Sequence, residues 1–462
     1  MTTTREHGAA LTSDEAGGAS SGAPPPPRRG GRIFFGWYIV AAGFVLSATL
    51  GGLMFHAFGQ YVVVLEAEFG WSRTSLSIAF SIQMVESGLL GPIQGWALDR
   101  FGPRRIMLVG ITIFGFGFLL LSQINTLTGF YIAFVVIALG LSAGAGMGTM
   151  VAVVNWFSRR RALAIGISTA GFAFGGVLQP GVAWSLEHIG WRETAIASGV
   201  IVIAVGLPLA GLMRHRPAQY GYGVDGDPPR RNQAGDGWLA DFDPGEVNFT
   251  LQQALRTRAF WLIAVGHAAS LLVVGAVMVH FVSHVTESLD YSLAQAANLL
   301  LVMTVTSVIG MLGGGYLGDR LPMRYILTVA MLGHMASLLV LTLWISLWGA
   351  LAFTVIHGLA FGVRGPLTQA IRADYFGRAA FGTVMGFSSL IIIIGMVLGP
   401  IVAGLSYDLT GSYRTGFVGL ALVAGLGSLL FLASTRPAPP PSHRGGRSVS
   451  TEASGAIAAG YH

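Results

Sequence analysis

Long apolar runs alternate with short polar breaks along almost the whole chain, twelve times in all. Each run reaches the roughly 20 residues that a helix needs to cross a hydrocarbon core about 30 Å thick. The pattern predicts spanning helices over 34–58, 74–98, 104–123, 128–156, 162–187 and 191–213. A second series follows over 259–284, 292–317, 323–346, 348–375, 380–407 and 413–434. The expected fold is an all-α membrane protein, twelve transmembrane helices in two six-helix bundles, 32–213 and 259–434. Residues 1–31, with Pro24 to Pro27 among small polar residues, and the similar tail 435–462 read as disordered. Residues 214–258, rich in Arg, Asp, Gly and Pro, read as a linker between the bundles. The first apolar run is too long and starts too late for a cleaved signal peptide.

The two series are copies. Gly95-Trp-Ala-Leu-Asp99-Arg100-Phe-Gly102-Pro-Arg104-Arg105, after predicted helix 2, returns as Gly315-Tyr-Leu-Gly-Asp319-Arg320-Leu-Pro-Met-Arg324 after predicted helix 8. Gly95 and Gly315, Asp99 and Asp319, Arg100 and Arg320, and Arg104 and Arg324 each stand 220 positions apart. Gly166, Gly175 and Pro180 of helix 5 align at the same spacing with Gly386, Gly395 and Pro400 of helix 11. Trp191-Arg192 and Tyr413-Arg414 open helices 6 and 12. Six-helix units that begin on the same side of the membrane form a parallel repeat, the ground plan of secondary transporters.

Composition narrows the class. Charged residues are 10% of the 462, against about a quarter in soluble domains. So few charges cannot cover a soluble surface. The net charge of +6 does not point to nucleic acid, because of where the arginines fall. Of the 27 basic residues, all Arg, 23 lie in the tails and alternate loops on the side of the N-terminus, and the opposite loops hold Arg73, Arg192 and Arg414. Basic residues accumulate in cytoplasmic loops. Both termini and the linker are therefore expected in the cytoplasm, and the protein in the cytoplasmic (inner) membrane. The chain has no cysteine, which excludes disulfides and thiolate chemistry, and no lysine, which excludes a P-loop. No metal-ligand spacing occurs, so neither an enzyme nor a cofactor is expected.

Over residues 33–434 the chain resembles the major facilitator superfamily, whose most specific motif is the loop signature after helix 2. Arg159-Arg160-Arg161-Ala-Leu-Ala-Ile-Gly166 and Ala373-Asp374-Tyr375-Phe376-Gly377 are similar to the monocarboxylate and oxalate/formate porter branch. The resemblance implies two bundles rocking about a central cavity lined by helices 1, 4, 7 and 10. It implies that Asp99 meets the start of helix 11 when the cytoplasmic side is closed, and that Arg100 pairs with an acid at the end of helix 4. Here helix 4 ends in Asn155-Trp156-Phe157, with no carboxylate, whereas Asp374 is on offer to Arg320. Gly95, Asp99, Arg100, Gly102, Arg104, Arg105, Gly315, Asp319, Arg320, Arg324 and Asp374 thus form the expected gating set. The branch commonly carries a basic residue in helix 8 or 11; this chain has none there.

Two charges, Glu86 and Arg364, fall near the middle of predicted helices. Placing such a group at the bilayer centre costs at least about 2.5 to 3.5 kcal/mol, which marks each as a functional candidate. Arg364 lies among Gly362, Gly365 and Pro366, which leave room beside a guanidinium suited to carboxylates. His357 and Thr368 share its face, and Thr49, His56 and Gln60 make a similar stripe on helix 1. Arg364, His357, His56 and Gln60 are the substrate-binding candidates. The alternative is packing, with Arg364 bonded to backbone carbonyls or to Glu86. Glu86, on one face with Gln83 and Gln94, is the candidate for proton coupling, or else a paired packing residue. His280 and His284 read as solvated at the outer end of helix 7, and His267 and His334 belong to no constellation. Gly140, Gly144 and Gly148 give helix 4 a ridge for close packing.

The expected function is secondary transport of a small organic anion, monocarboxylate-like, by alternating access with proton coupling. Its partners are the anionic small molecule, a proton and the lipid bilayer, with the protein as a monomer. Export of amphipathic or drug-like compounds, with Arg364 structural, is the alternative. A membrane sensor on a transporter fold would need a folded signalling domain, for which the tails and linker are too short and polar.

Overall fold

Helices form wherever the apolar runs allow, and their order fixes the fold. The computed structural model describes residues 33–227 and 247–440. The expectations for residues 1–31, for 228–246 of the linker and for 441–462 lie outside the described residues. The first series is α1 (Phe35–Phe69), α2 (Arg73–Phe101), α3 (Pro103–Ser122), α4 (Leu127–Trp156), α5 (Arg161–His188) and α6 (Trp191–Leu212). The second is α7 (Arg258–Leu289), α8 (Leu293–Gly318), α9 (Met323–Leu343), α10 (Leu347–Phe376), α11 (Phe381–Thr410) and α12 (Arg414–Ala433). Eleven of these helices are long and apolar enough to cross a membrane. The other is α2, 29 residues long but interrupted by Gln83, Glu86 and Gln94. The whole is a twelve-helix membrane fold of two six-helix bundles.

Two helices outrun their apolar runs. α1 passes through a π-helical stretch at Gly51–His56 and continues to Phe69, and α7 reaches Leu289. The residues beyond 58 carry Gln60, Glu66 and Glu68 and so read as loop. Their polarity has a partner, because Glu68 accepts from Trp191 Nε1 and from Arg192 Nη1, the latter at 2.6 Å, at the start of α6. The helix thus continues past its apolar run to a polar docking point.

The starts of the helices differ in one consequential way. Ser72 and Ser292, 220 apart, cap α2 and α8, and Thr126 and Ser346, also 220 apart, cap α4 and α10; each accepts from a backbone N–H three residues on. The first turn of a helix leaves up to four such groups without intrahelical partners. α5 and α11 follow Arg160 and Ala380, neither of which supplies a side-chain cap. Their first amides must find acceptors elsewhere.

Those acceptors come from the opposite bundle because α2 packs against α11 and α8 against α5. Glycines permit the approach. A Cβ at Gly95 would lie 2.0 Å from the Gly382 carbonyl oxygen, and one at Gly386 2.1 Å from that of Gly91. In the other copy, a Cβ at Gly315 would lie 2.8 Å from the Ala162 carbonyl oxygen, and one at Gly166 2.5 Å from that of Met311. All four pairings obey the 220-residue spacing. The ends of α2 and α8, the starts of α5 and α11 and the linker lie on one side, called here the linker face; the opposite side is the far face.

Replacing Gly95 by Val should therefore force α2 and α11 apart, with an overpacking cost of about 1 to 3 kcal/mol. A lowered melting midpoint in detergent, with Gly59→Val unaffected because a Cβ there meets nothing within 4 Å, is the expected result.

Candidate transport pathway and its gate

On the linker face two carboxylates cross between bundles. Asp99, near the end of α2, accepts from Gly382 N at 3.0 Å and from Thr383 N and Thr383 Oγ1, each at 2.7 Å. Asp319, at the end of α8, accepts from Ala162 N at 2.8 Å and Leu163 N at 3.1 Å. Each thus sits on the positive end of a helix dipole and supplies the missing cap. Burial raises the Asp319 carboxyl above its ordinary range, against the pull of these two amides. Asp99 thus reaches the start of α11 from the end of α2.

The arginines of the repeated loops are arranged less symmetrically. Arg100 is exposed at the end of α2, and Arg104 and Arg105 are exposed in the first turn of α3. Gly102, with φ of 81°, makes the turn between these helices. Arg324 Nη2 donates to Tyr325 Oη at 2.6 Å. Asp374 pairs with Arg436, 3.3 Å away, rather than with Arg320. Arg320 instead lies over the Tyr316 ring, 3.5 Å from its centroid, and donates to the Tyr316 carbonyl. The sequence placed both near one loop, but the chain after α12 returns Arg436 to the end of α10, where it also bonds the Asp374 carbonyl at 2.8 Å.

Behind the closed face lies a central cavity of about 430 Å³. Its walls come from Ser47 and Gly51 of α1, Gln83, Glu86 and Gln94 of α2, Ser142, Met147, Thr149 and Met150 of α4, and Ser168, Thr169 and Phe172 of α5. Met311 of α8 and Ser389 of α11 complete it. α2 and α5 thus join α1 and α4, while α7 and α10 give no lining residue among the described residues, a departure from the set of 1, 4, 7 and 10. Gln94 donates to Ser142 Oγ. Glu86 has both carboxyl oxygens buried with no hydrogen-bond partner among the described residues, and the same holds for Gln83 Oε1 and Thr149 Oγ1. The polar stripe read from α2 therefore lines this central cavity.

α10 turns its polar face into its own bundle. Arg364 is 2% exposed, its Nε and Nη1 are buried with no partner among the described residues, and its guanidinium carbon lies 5.4 Å from the Phe361 ring. His357 is buried one stripe above, with its Nδ1 3.4 Å from both His334 Nδ1 and Ser337 Oγ. Below it, Arg372 is 1% exposed, donates to the Thr368 carbonyl at 2.7 Å and lies 3.3 Å from His267 Nδ1. His267 and His334, expected to belong to no constellation, are thus part of this one. They come from α7 and α9, so no spacing within one helix could join them to α10. In sequence, Arg372 falls within four residues of the predicted helix end, a position that groups it with the loop arginines. The i, i+4, i+8 spacing of Arg364, Thr368 and Arg372 was the available signal.

The remaining candidates lie apart. His56 Nε2 bonds the Phe172 carbonyl at 2.9 Å, and Gln60 Oε1 is buried with no partner among the described residues; neither lines the central cavity. The π-helical stretch between Thr49 and His56 breaks the expected stripe. His284 is buried against Tyr413 and Phe417, and His280 Nε2 bonds the Pro400 carbonyl at 3.0 Å, so neither is the solvated residue expected.

Twelve helices in two repeated bundles, latched on one face over a central cavity, define a multi-pass membrane transporter. The family model of the Major Facilitator Superfamily matches residues 44–347 and 263–458, and the chain belongs to that family. Monocarboxylate transporter 13 of Bos taurus is 27% identical over 86% of this chain and 89% of its own. Monocarboxylate transporter 11 of Mus musculus is 26% identical over 87% of this chain and 88% of its own. Among solved structures, the fucose:proton symporter of E. coli superposes with a TM-score of 0.66 at 15% identity, over 86% of this chain and 98% of that one, a likeness of fold.

Asp99→Ala removes three accepted hydrogen bonds at the gate and Asp319→Ala two. With Met147→Cys as the sole thiol in a chain without cysteines, labelling from the far face by an impermeant reagent should fall in both variants, more in Asp99→Ala. Labelling from the linker face should rise in step.

Proposed function

We propose that the protein is a secondary transporter that moves a small organic anion of the monocarboxylate type by alternating access, together with a proton. The observation that carries this reading is Arg364, a buried guanidinium with two nitrogens lacking acceptors among the described residues. A fixed cation in low dielectric is costly unless an anion answers it. A carboxylate accepting from Nε and Nη1 has the geometry and charge to do so. The relatedness to monocarboxylate transporters supports the same substrate class. His357 is a neighbouring donor on the same face, and His56 and Gln60 belong to the opposite wall in the inward-opening state.

Glu86 is the proposed proton site. Its carboxyl faces the cavity with no hydrogen-bond partner among the described residues, so a proton taken there neutralises the group as the cavity changes sides. The arginine distribution supports placing the linker face in the cytoplasm and the protein in the inner membrane. Residues 32–213 and 259–434 are the two moving units, joined by 214–258, and the transporter acts as a monomer.

A second reading rests on a different feature of Glu86. It also borders an apolar groove on the outer side of α2, lined by Ile78, Ile82, Val85, Leu89 and Leu90. An amphipathic compound entering from the bilayer would meet this carboxyl, which favours export of such compounds.

Uptake of labelled short-chain monocarboxylates into proteoliposomes decides between them. Arg364→Ala should lower apparent affinity at least about tenfold, the worth of one hydrogen bond to a charged group, with Arg364→Lys intermediate. Saturable carboxylate uptake unchanged in Arg364→Ala contradicts the anion reading. Glu86→Gln should abolish accumulation driven by a pH gradient while leaving carboxylate exchange intact.

A further inference from the structure

The end of α4 lacks the acid that family resemblance pairs with Arg100, yet that end is bridged to the other bundle. Arg378, in the loop between α10 and α11, donates from Nη1 to the Asn155 carbonyl at 2.8 Å. Asn155 is in the last turn of α4, whose closing carbonyls carry the negative end of the helix dipole. Its regular helical donor would be the amide of Arg159. That amide instead donates to Asp225 Oδ2 at 2.9 Å, so the carbonyl is free to take a cation.

The chain positions Arg378 with care. Gly377, with φ of 80°, ends α10 in a turn. Asn248, at the end of the linker, accepts with Oδ1 from the amides of Arg378 at 2.9 Å and Ala379 at 3.0 Å, while Phe249 N donates to the Phe376 carbonyl. Asp225, at the start of the linker, holds Ser158 and Arg159 in the same manner, 220 residues earlier. The loops are matched, but position 378 answers to Ser158, which has no side chain to send across. The side chain of Arg378 is 7% exposed.

We infer that Arg378 is a third crossing contact that holds the linker face closed, an unrepeated bolt beside Asp99 and Asp319, and that Asn248 is its positioning residue. The linker thereby sets the gate instead of only joining two halves. When the face opens, this cation must leave the α4 terminus, so the contact weights the equilibrium between the two states.

The test needs no substrate, so its outcome is independent of the anion reading. Nitroxide labels on cysteines introduced at the exposed Leu212 and Leu321, one on each bundle at the linker face, report the opening by electron–electron distance measurement in liposomes. Arg378→Gln should raise the ratio of long to short distances at least about tenfold, the equivalent of one lost hydrogen bond to a charged group. Arg378→Lys should restore part of the short population. Asn248→Ala, which keeps the guanidinium but frees its loop, should shift the ratio in the same direction by less. A folded Arg378→Gln with the parental distribution overturns the inference, and so does a shift toward the short distance. If Arg378→Gln fails to fold, Asn248→Ala decides, and an unchanged ratio there overturns it.

Discussion

The first amides of α5 and α11 find their acceptors on the opposite bundle, and the closed arrangement of the linker face depends on this. Neither helix follows a capping side chain, whereas α2, α4, α8 and α10 all do. Asp319 and Asp99 supply the missing acceptors from the opposite bundle. For those carboxylates to arrive, α2 must touch α11 and α8 must touch α5 at backbone distance, which requires Gly95, Gly166, Gly315 and Gly386. A carboxylate at a helix start is worth a few tenths of a kcal/mol to about 2 kcal/mol when partly buried. Such an interaction holds one state while leaving the other within thermal reach, as a gate requires.

The contacts that close the linker face through Asp99 and Asp319 follow the repeat, and the buried charges proposed for substrate and proton fall outside it. Glu86 and Arg364 have Thr306 and Gly144 at the positions 220 away, and Arg378 has Ser158. Among the described residues, a carboxyl without a hydrogen-bond partner faces the cavity from the first bundle, and a guanidinium without a full set of partners is buried in the second. An exactly symmetric pair of bundles would bind a ligand without orienting it. In the proposed mechanism these unrepeated charges would supply that orientation.

Much of this was legible in the sequence. The apolar runs located all twelve helices, because lipid leaves the chain little alternative, and the 220-residue spacing found Asp99 and Asp319 before any contact was known. The polar face of α2 was visible as Gln83, Glu86 and Gln94. Contacts between helices of different sequence position were not. The cluster of His267, His334 and His357 is assembled from three helices, and Asp374 finds Arg436 only because the chain returns after α12. The extension of α1 to Phe69 was hidden because Glu66 and Glu68 look like loop until Trp191 and Arg192 are seen docked on Glu68. The sequence position of Arg372 marks a helix end, whereas its side chain folds inward onto His267.

The most direct test of the account is a structure determined with a short-chain monocarboxylate bound. Carboxylate density is expected within hydrogen-bond distance of Arg364 Nε and Nη1. Density for the ligand in the central cavity away from Arg364, with Arg364 bonded to protein carbonyls alone, would contradict it.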